Sequence, residues 1–197
     1  MLMYKEIVAL AEPYYIKGRP GDIEHIKWLK NKLLNLEITI KKKKYDFEII
    51  FALTILHDAG YSKVPQKLKL KPFDLKVRKL HSKESAKIAR LIFDKVNFPK
   101  SKRKKALRLI EHHDDWAFDK PPKDIEWRIF TDLDFAWEAS KEGFDIVRKF
   151  LNQTRTDFLN TVKNDYKKKQ KKYPFFLEES KQLFLQDLSY WGRKLQK

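Results

Sequence analysis

F-E-I-I-F-A-L-T-I-L-H-D-A-G, residues 47–60, is the stretch of sequence that decides the fold. Apart from Glu48 and Thr54, the residues before the histidine are apolar, so they predict a helix buried nearly all round at the centre of the molecule. Asp46 is placed to cap the start of this helix, and Gly60 is placed to stop it. The adjacent His57 and Asp58 are therefore expected at the end of a buried helix.

The remainder of the sequence also predicts helices. The chain has 5 glycines and 8 prolines, and they fall between segments of helical periodicity. The first helix is expected to stop at Pro13, and the lysine-rich residues 167–172 are expected to form a loop. We predict an all-α fold of about eight helices in a single domain over residues 1–197, with a C-terminal helical extension over 144–197.

Composition restricts the chemistry of the protein. The chain has 197 residues and no cysteine, which excludes a disulfide scaffold, a thiolate zinc site, an iron–sulfur cluster and a cysteine nucleophile. Lys+Arg minus Asp+Glu is 44 − 27 = +17, which favours an anionic partner such as phosphate, nucleotide, nucleic acid or acidic lipid. A lysine-rich solvated surface is the alternative explanation of this charge. The first ten residues lack a secretion signal and no apolar run is long enough to span a bilayer, so we expect a soluble cytoplasmic protein with no membrane partner.

The few histidines are the most informative residues. Four of them lie on or next to the apolar faces of separate predicted helices, and the fifth adjoins one of these four. Burying each imidazole alone would be costly. One metal centre would satisfy them together, and imidazole with carboxylate suits Fe, Mn, Zn, Ni or Co. The five histidines are His25, His57, His81, His112 and His113.

The order of these histidines resembles that of the HD-domain superfamily of metal-dependent phosphohydrolases, over residues 22–139. The matching segments are D-I-E-H around His25, L-H-D-A-G around His57, K-L-H-S around His81 and I-E-H-H-D around His112 and His113. The stretch H-D-A-G-Y-S-K-V-P is similar to the H-D-I-G-K-x-x-I-P of the two-metal branch that includes the HD-GYP phosphodiesterases.

A final motif and three departures refine the resemblance. W-R-I-F-T-D-L-D is similar to that branch's R-I-x-x-x-x-D, and this register selects Asp134 rather than Asp132. The G-Y-P motif is absent, Tyr61 replaces a lysine, and Gly21 stands where some members have the glutamate that adds a third metal. A degenerate HD-GYP-like domain with two metals is therefore expected, without cyclic-dinucleotide hydrolysis.

The resemblance implies a specific ligand set. One metal would be held by His25, His57 and Asp134, and the other by His81, His112 and His113. Asp58 would bridge the two and be the catalytic residue. The expected cofactors are two divalent transition-metal ions (Fe, Mn, Ni or Zn, with Mg as a further option), which would activate a hydroxide for attack on a phosphate ester.

The substrate is expected to be an anionic small molecule, with a nucleotide favoured. Lys63 follows the His-Asp pair, and Arg78 lies about one helical turn before His81, so both are candidates to contact a substrate phosphate. Trp116 is a candidate to stack on a base or to join the core. The basic residues 41–44, 100–105 and 167–172 are candidates to bind nucleic acid, or they are solvated loops.

Two other classes of function stay open. Some HD-domain proteins are mixed-valent di-iron oxygenases, which usually have a single histidine where this chain has His112 and His113. The doublet would fill the open iron position, which argues for hydrolysis. The third hypothesis is a basic nucleic-acid-binding module with a structural metal site.

Overall fold

The computed structural model describes residues 2–195 and divides the chain into two compact units, Met1–Phe130 and Thr131–Lys197. Within the described residues there are eleven α-helices, two short 3-10 helices and no β-strand, so the all-α prediction is confirmed. The helix count exceeds the expected eight because the short helices α3 and α5 were not predicted and because the segment predicted as one helix near residues 144–164 forms two helices, α9 and α10. The helices are α1 (Leu2–Ile16), α2 (Asp22–Asn35), α3 (Glu37–Lys42), α4 (Phe47–Leu56), α5 (Gln66–Lys69), α6 (Leu75–Lys95), α7 (Lys100–Glu111), α8 (Ile125–Ala139), α9 (Phe144–Phe150), α10 (Arg155–Lys172) and α11 (Glu178–Lys194).

Helix α4 is the centre of the first unit. Every residue of α4 except Glu48 is buried, and the helix packs against α1, α2, α6 and α7. The Asp46 side chain caps its start by accepting a hydrogen bond from the backbone N–H of Ile49 at 3.3 Å. These observations confirm that the apolar stretch forms the buried central helix.

Gly60 brings the end of α4 close to α6. It lies in the 3-10 helix Ala59–Lys63, and a Cβ added there would be 2.0 Å from the carbonyl oxygen of His81. Only glycine permits this approach, and its N–H donates to Ser85 Oγ at 2.8 Å. The turn that carries His57 and Asp58 is thereby packed directly against the helix that carries His81.

Two helix boundaries differ from the prediction. Helix α1 continues through Pro13 to Ile16, because Tyr15 is buried and its hydroxyl donates to the carbonyl of Ile55 at 2.5 Å. In the second unit, residues 167–172 belong to α10 rather than to a loop, consistent with the high helix propensity of lysine. That unit contains the end of α8 together with α9, α10 and α11. Among the described residues, no helix has the length and apolarity needed to cross a bilayer.

Candidate metal centre

Four histidines and one aspartate converge inside the first unit. His25 lies in the first turn of α2, His57 and Asp58 follow α4, His81 lies on α6, and His113 follows α7. All five residues are buried, with Asp58 only 5% exposed. These side chains form two groups whose candidate ligand atoms lie within 4.8 Å of one another, and Asp58 belongs to both groups.

The two carboxylate oxygens of Asp58 face different histidines. Oδ2 lies 3.3 Å from Nε2 of His57 and 3.6 Å from Nδ1 of His25. Oδ1 lies 3.2 Å from Nε2 of His81 and 3.7 Å from Nε2 of His113. We call these sets the Oδ2 group and the Oδ1 group. A carboxylate placed in this way can bridge two cations, which is the division of ligands that the resemblance implies.

Backbone carbonyls orient three of the imidazole rings. Nδ1 of His57 contacts the carbonyl oxygen of Thr54 at 3.1 Å, that of His81 contacts Val77 at 3.1 Å, and that of His113 contacts Ile110 at 2.8 Å. A carbonyl only accepts hydrogen bonds, so each Nδ1 carries the proton and Nε2 of the neutral ring presents a lone pair. Metal-binding histidines in proteins are commonly held in this way.

The two imidazoles of the Oδ1 group cannot satisfy each other when both are neutral. Nε2 of His81 lies 3.1 Å from Nε2 of His113, so two lone pairs face each other across the gap when both rings are neutral. A cation between them would turn this repulsion into attraction, and the donor set of imidazoles and carboxylate suits a transition-metal ion. The residues present therefore fit the metal that the resemblance implies.

The charge state of the cluster follows from burial and from its neighbours. Burial disfavours the ionised carboxylate of Asp58, but the Arg19 guanidinium and His57 outweigh it and hold the pKa of Asp58 well below its ordinary value. Burial lowers the pKa of His81 and thereby favours its neutral, metal-binding form. Burial also lowers the pKa of His113, but the negative charges of Asp114 and Asp58 have the larger effect, so the pKa of His113 is raised.

Arg19 is a site residue that the sequence reasoning missed. It lies in the turn before α2, where its Nη2 donates to Asp58 Oδ2 at 2.5 Å and its Nε donates to Asp22 Oδ1 at 2.8 Å. Its guanidinium also stacks over the ring of Tyr61 at 3.7 Å, and Tyr61 in turn stacks on His81. Arg19 lies in the sequence G-R-P-G at residues 18–21, and such a turn carries only a weak functional signal because glycine and proline commonly mark helix boundaries.

His112 lies outside the cluster. Its side chain is 46% exposed, and its Nδ1 contacts Asp115 Oδ2 at 2.8 Å. Helix α7 ends at Glu111, and neighbouring side chains at a helix end point in different directions, so only His113 of the pair faces Asp58. That His112 joins His81 and His113 as a ligand stays a prediction, and the structure does not bring its side chain into the cluster.

Asp114 and Arg78 border the Oδ1 group. The buried Asp114 carboxylate places Oδ2 3.5 Å from His81 Nε2, and its Oδ1 accepts from Arg78 Nη1 at 2.7 Å. Arg78 is itself buried, with its guanidinium 4.9 Å from the ring of Trp116 and 5.4 Å from that of Phe73. The sequence reasoning considered Arg78 but not Asp114, although the acidic residue directly after His113 was available as a signal.

Lys63 and Asp134, the other predicted site residues, are not among the five clustered side chains. Lys63 is exposed at the end of the 3-10 helix, and its role toward a substrate stays a prediction. Asp134 lies on α8 in the second unit, is partly buried, and also stays a predicted ligand. Asp132 has a structural role in that unit, since it accepts hydrogen bonds from the backbone N–H groups of Phe176 and Leu177 at 2.6 and 3.0 Å.

Several lysines of the basic runs are paired with carboxylates. Lys102 Nζ lies 2.9 Å from Glu48 Oε2, and Lys105 Nζ lies 2.7 Å from Glu126 Oε2. Lys168 pairs with Asp165 at 2.9 Å. These contacts neutralise part of the charge that would otherwise attract nucleic acid, although the runs keep exposed lysines.

The comparison with known families agrees with this geometry. The family model of the HD domain matches residues 23–187, which is well over half of the chain. The chain belongs to the HD domain family, a class made up mostly of metal-dependent hydrolases. The match extends beyond the motif region at 22–139 into the C-terminal helices. No curated protein and no solved structure matches the chain.

Proposed function

We propose that this protein is a metal-dependent phosphohydrolase that uses two divalent cations to hydrolyse a phosphate ester, with a nucleotide as the favoured substrate. The single observation that carries the proposal is the division of Asp58: one oxygen faces His57 and His25, and the other faces His81 and His113. Membership of the HD domain family supports the same class of reaction.

The chain's own residues hold and separate the cations. His25, His57 and Oδ2 of Asp58 would hold one, and His81, His113 and Oδ1 of Asp58 would hold the other. Two bound cations supply Lewis acidity and lower the pKa of a water molecule, which is the chemistry that attack on phosphorus requires. The imidazole-rich donor set favours Fe, Mn, Ni or Zn over Mg, which prefers oxygen ligands.

Positive and aromatic side chains beside the centre support an anionic, base-containing substrate. Arg19 and Arg78 border the Oδ2 and Oδ1 groups, respectively, and each lies against an aromatic ring. Trp116 is 40% exposed and Phe73 is 39% exposed, so both offer apolar surface on which a base can stack. The net charge of +17 favours encounter with a phosphate.

A metal-dependent activity screen tests the proposal. Purified protein is assayed on a nucleotide panel and on bis-p-nitrophenyl phosphate with Mn²⁺, Fe²⁺, Ni²⁺, Zn²⁺ or Mg²⁺ added in turn. Turnover should require metal and should disappear in the Asp58→Ala variant, whereas Asp94→Ala, which removes an exposed carboxylate of the same unit, should retain it. Absence of turnover with every metal and substrate would contradict the proposal.

A di-iron oxygenase is the second candidate function, and the position of His112 favours it. Because His112 lies outside the cluster, only His113 of the histidine pair joins His81 in the Oδ1 group, and a single histidine at this position resembles the di-iron oxygenases. The discriminating experiment measures O₂ uptake by the reduced, iron-loaded protein with organic substrates. Oxygen uptake together with complete inactivity on phosphate esters would favour the oxygenase over the hydrolase.

A further inference from the structure

We propose that Asp114, and not His112, is the fourth ligand of the Oδ1 group, and that Arg78 positions it. The inference rests on the proposed metal centre and concerns which side chains complete it. It replaces His112, the first member of the histidine pair that the resemblance implies, with Asp114, the acidic residue that follows that pair in I-E-H-H-D-D.

Four donor atoms converge at this place. His81 Nε2 lies 3.1 Å from His113 Nε2, 3.2 Å from Asp58 Oδ1 and 3.5 Å from Asp114 Oδ2. His113 Nε2 lies 3.7 Å from Asp58 Oδ1 and 3.8 Å from Asp114 Oδ2. When both rings are neutral, the proton of each lies on Nδ1, so Nε2 presents a lone pair and none of these contacts is a hydrogen bond.

The spacing of these atoms is that of ligands around one ion. Donor atoms about 2.0–2.2 Å from a tetrahedral ion lie roughly 3.3–3.6 Å from one another. The five separations that involve His81 or His113, from 3.1 to 3.8 Å, bracket this range. His112 would need to leave Asp115 and reverse its direction to reach the same place.

Arg78 fixes the orientation of the Asp114 carboxylate. Its Nη1 binds Asp114 Oδ1 at 2.7 Å, which directs the other oxygen, Oδ2, toward His81 and His113. The guanidinium is buried and lies near Phe73 and Trp116, so it is held in place. Hydrogen bonds of this kind to ligating carboxylates are a general means of tuning metal affinity. Arg78 is therefore a positioning residue for the Oδ1 group.

The absence of cysteine from the chain allows a direct test. A single Asp114→Cys substitution introduces the only thiol, and a thiolate bound to Co²⁺ gives an intense charge-transfer absorption in the near ultraviolet. The metal–sulfur bond of about 2.3 Å partly compensates for the shorter cysteine side chain. His112→Cys is the matched control, because it places the thiol two residues earlier. Both variants and the wild-type protein are titrated with Co²⁺.

Asp114→Cys should show the charge-transfer band, and His112→Cys should lack it. A band in His112→Cys, or no band in Asp114→Cys while the wild-type protein binds Co²⁺, would overturn the assignment. Failure of the wild-type protein to bind Co²⁺ would instead contradict the metal centre itself.

Calorimetric titration keeps the inference testable if the cysteine variant does not fold. Asp114→Asn preserves the shape of the side chain and should lower the affinity for one of the two ions by more than about 100-fold. Arg78→Lys should lower the same affinity by about 10–100-fold. His112→Asn should leave both affinities unchanged. Equal affinities in wild type and Asp114→Asn would overturn the proposal.

Discussion

Replacement of Asp132 by alanine should destabilise the protein without removing a metal ion. Asp132 is 1% exposed and lies on α8 in the second unit. Its carboxylate accepts hydrogen bonds from the backbone N–H groups of Phe176 and Leu177 and from Lys169 Nζ, the last at 3.1 Å. These bonds fix the segment that leads into α11 against α8, so the side chain has a structural role.

The size of the effect follows from what alanine leaves behind. The Lys169 side chain is only 8% exposed, and removal of one partner of a buried ion pair typically costs about 3–5 kcal/mol. The two backbone N–H groups lose a charged acceptor as well, so the upper part of this range is expected. At about 2–4 °C per kcal/mol for a chain of this size, a loss of about 4–5 kcal/mol should lower the melting temperature by roughly 8–20 °C.

Chemical denaturation, thermal unfolding and metal analysis on the same samples provide the assay. Asp134→Ala is the matched variant, because it removes the carboxylate two residues later on α8. The resemblance implies that Asp134 is a ligand, so this variant should lower the bound metal by one ion per chain. If Asp132→Ala lost metal and kept its stability, the alignment that selects Asp134 would be wrong by half a helical turn.

Two further perturbations have defined outcomes. Asp58→Ala should remove both ions and all turnover even at saturating metal, because it deletes the bridging carboxylate. His25→Ala should keep the ion of the Oδ1 group and recover some turnover with excess metal. Metal analysis and activity assays of both variants check these outcomes. In the second unit, hydrogen bonds from Arg155 and, to a smaller extent, from Arg148 hold the pKa of Asp145 below its ordinary value. The ionised Asp145 therefore stabilises the fold above pH ~4, and this stabilisation is lost as the pH falls through the pKa that Asp145 has in the folded protein. Urea unfolding of wild type and Asp145→Asn should therefore differ at pH 6 and converge toward pH 2, and a difference that grows on acidification would refute this assignment.

The sequence was most informative where local pattern and burial agree. The apolar run of α4 and the stop at Gly60 predicted a buried helix that ends in His57 and Asp58, and both features are present. The close approach of Gly60 to His81 was not predicted, because it depends on the packing of two helices distant in sequence. Helix ends were less predictable: the packing of Tyr15 carries α1 past Pro13.

The details of the site depended on features that a sequence motif does not encode. Which of His112 and His113 faces Asp58 is decided by the residue at which α7 ends, and a shift of one residue turns a helical side chain by about 100°. Arg19 reaches Asp58 from a turn 39 positions earlier in the chain, and no local signal connects the two. The sequence therefore predicted the chemical types of the ligands better than it predicted the partners that orient them.

The occupant of the fourth position in the Oδ1 group bears directly on the reaction. In the sequence, a histidine doublet that would fill this position favours hydrolysis, but the side chain of His112 is exposed and lies outside the cluster. Asp114 restores the case for hydrolysis with a different donor, since a carboxylate held by Arg78 closes the same position to a chelating organic substrate. A charge-transfer band in Asp114→Cys would thus support a filled, hydrolytic centre. If His112 and Asp114 both lie outside the coordination sphere, the Oδ1 group keeps the open position that an oxygenase requires.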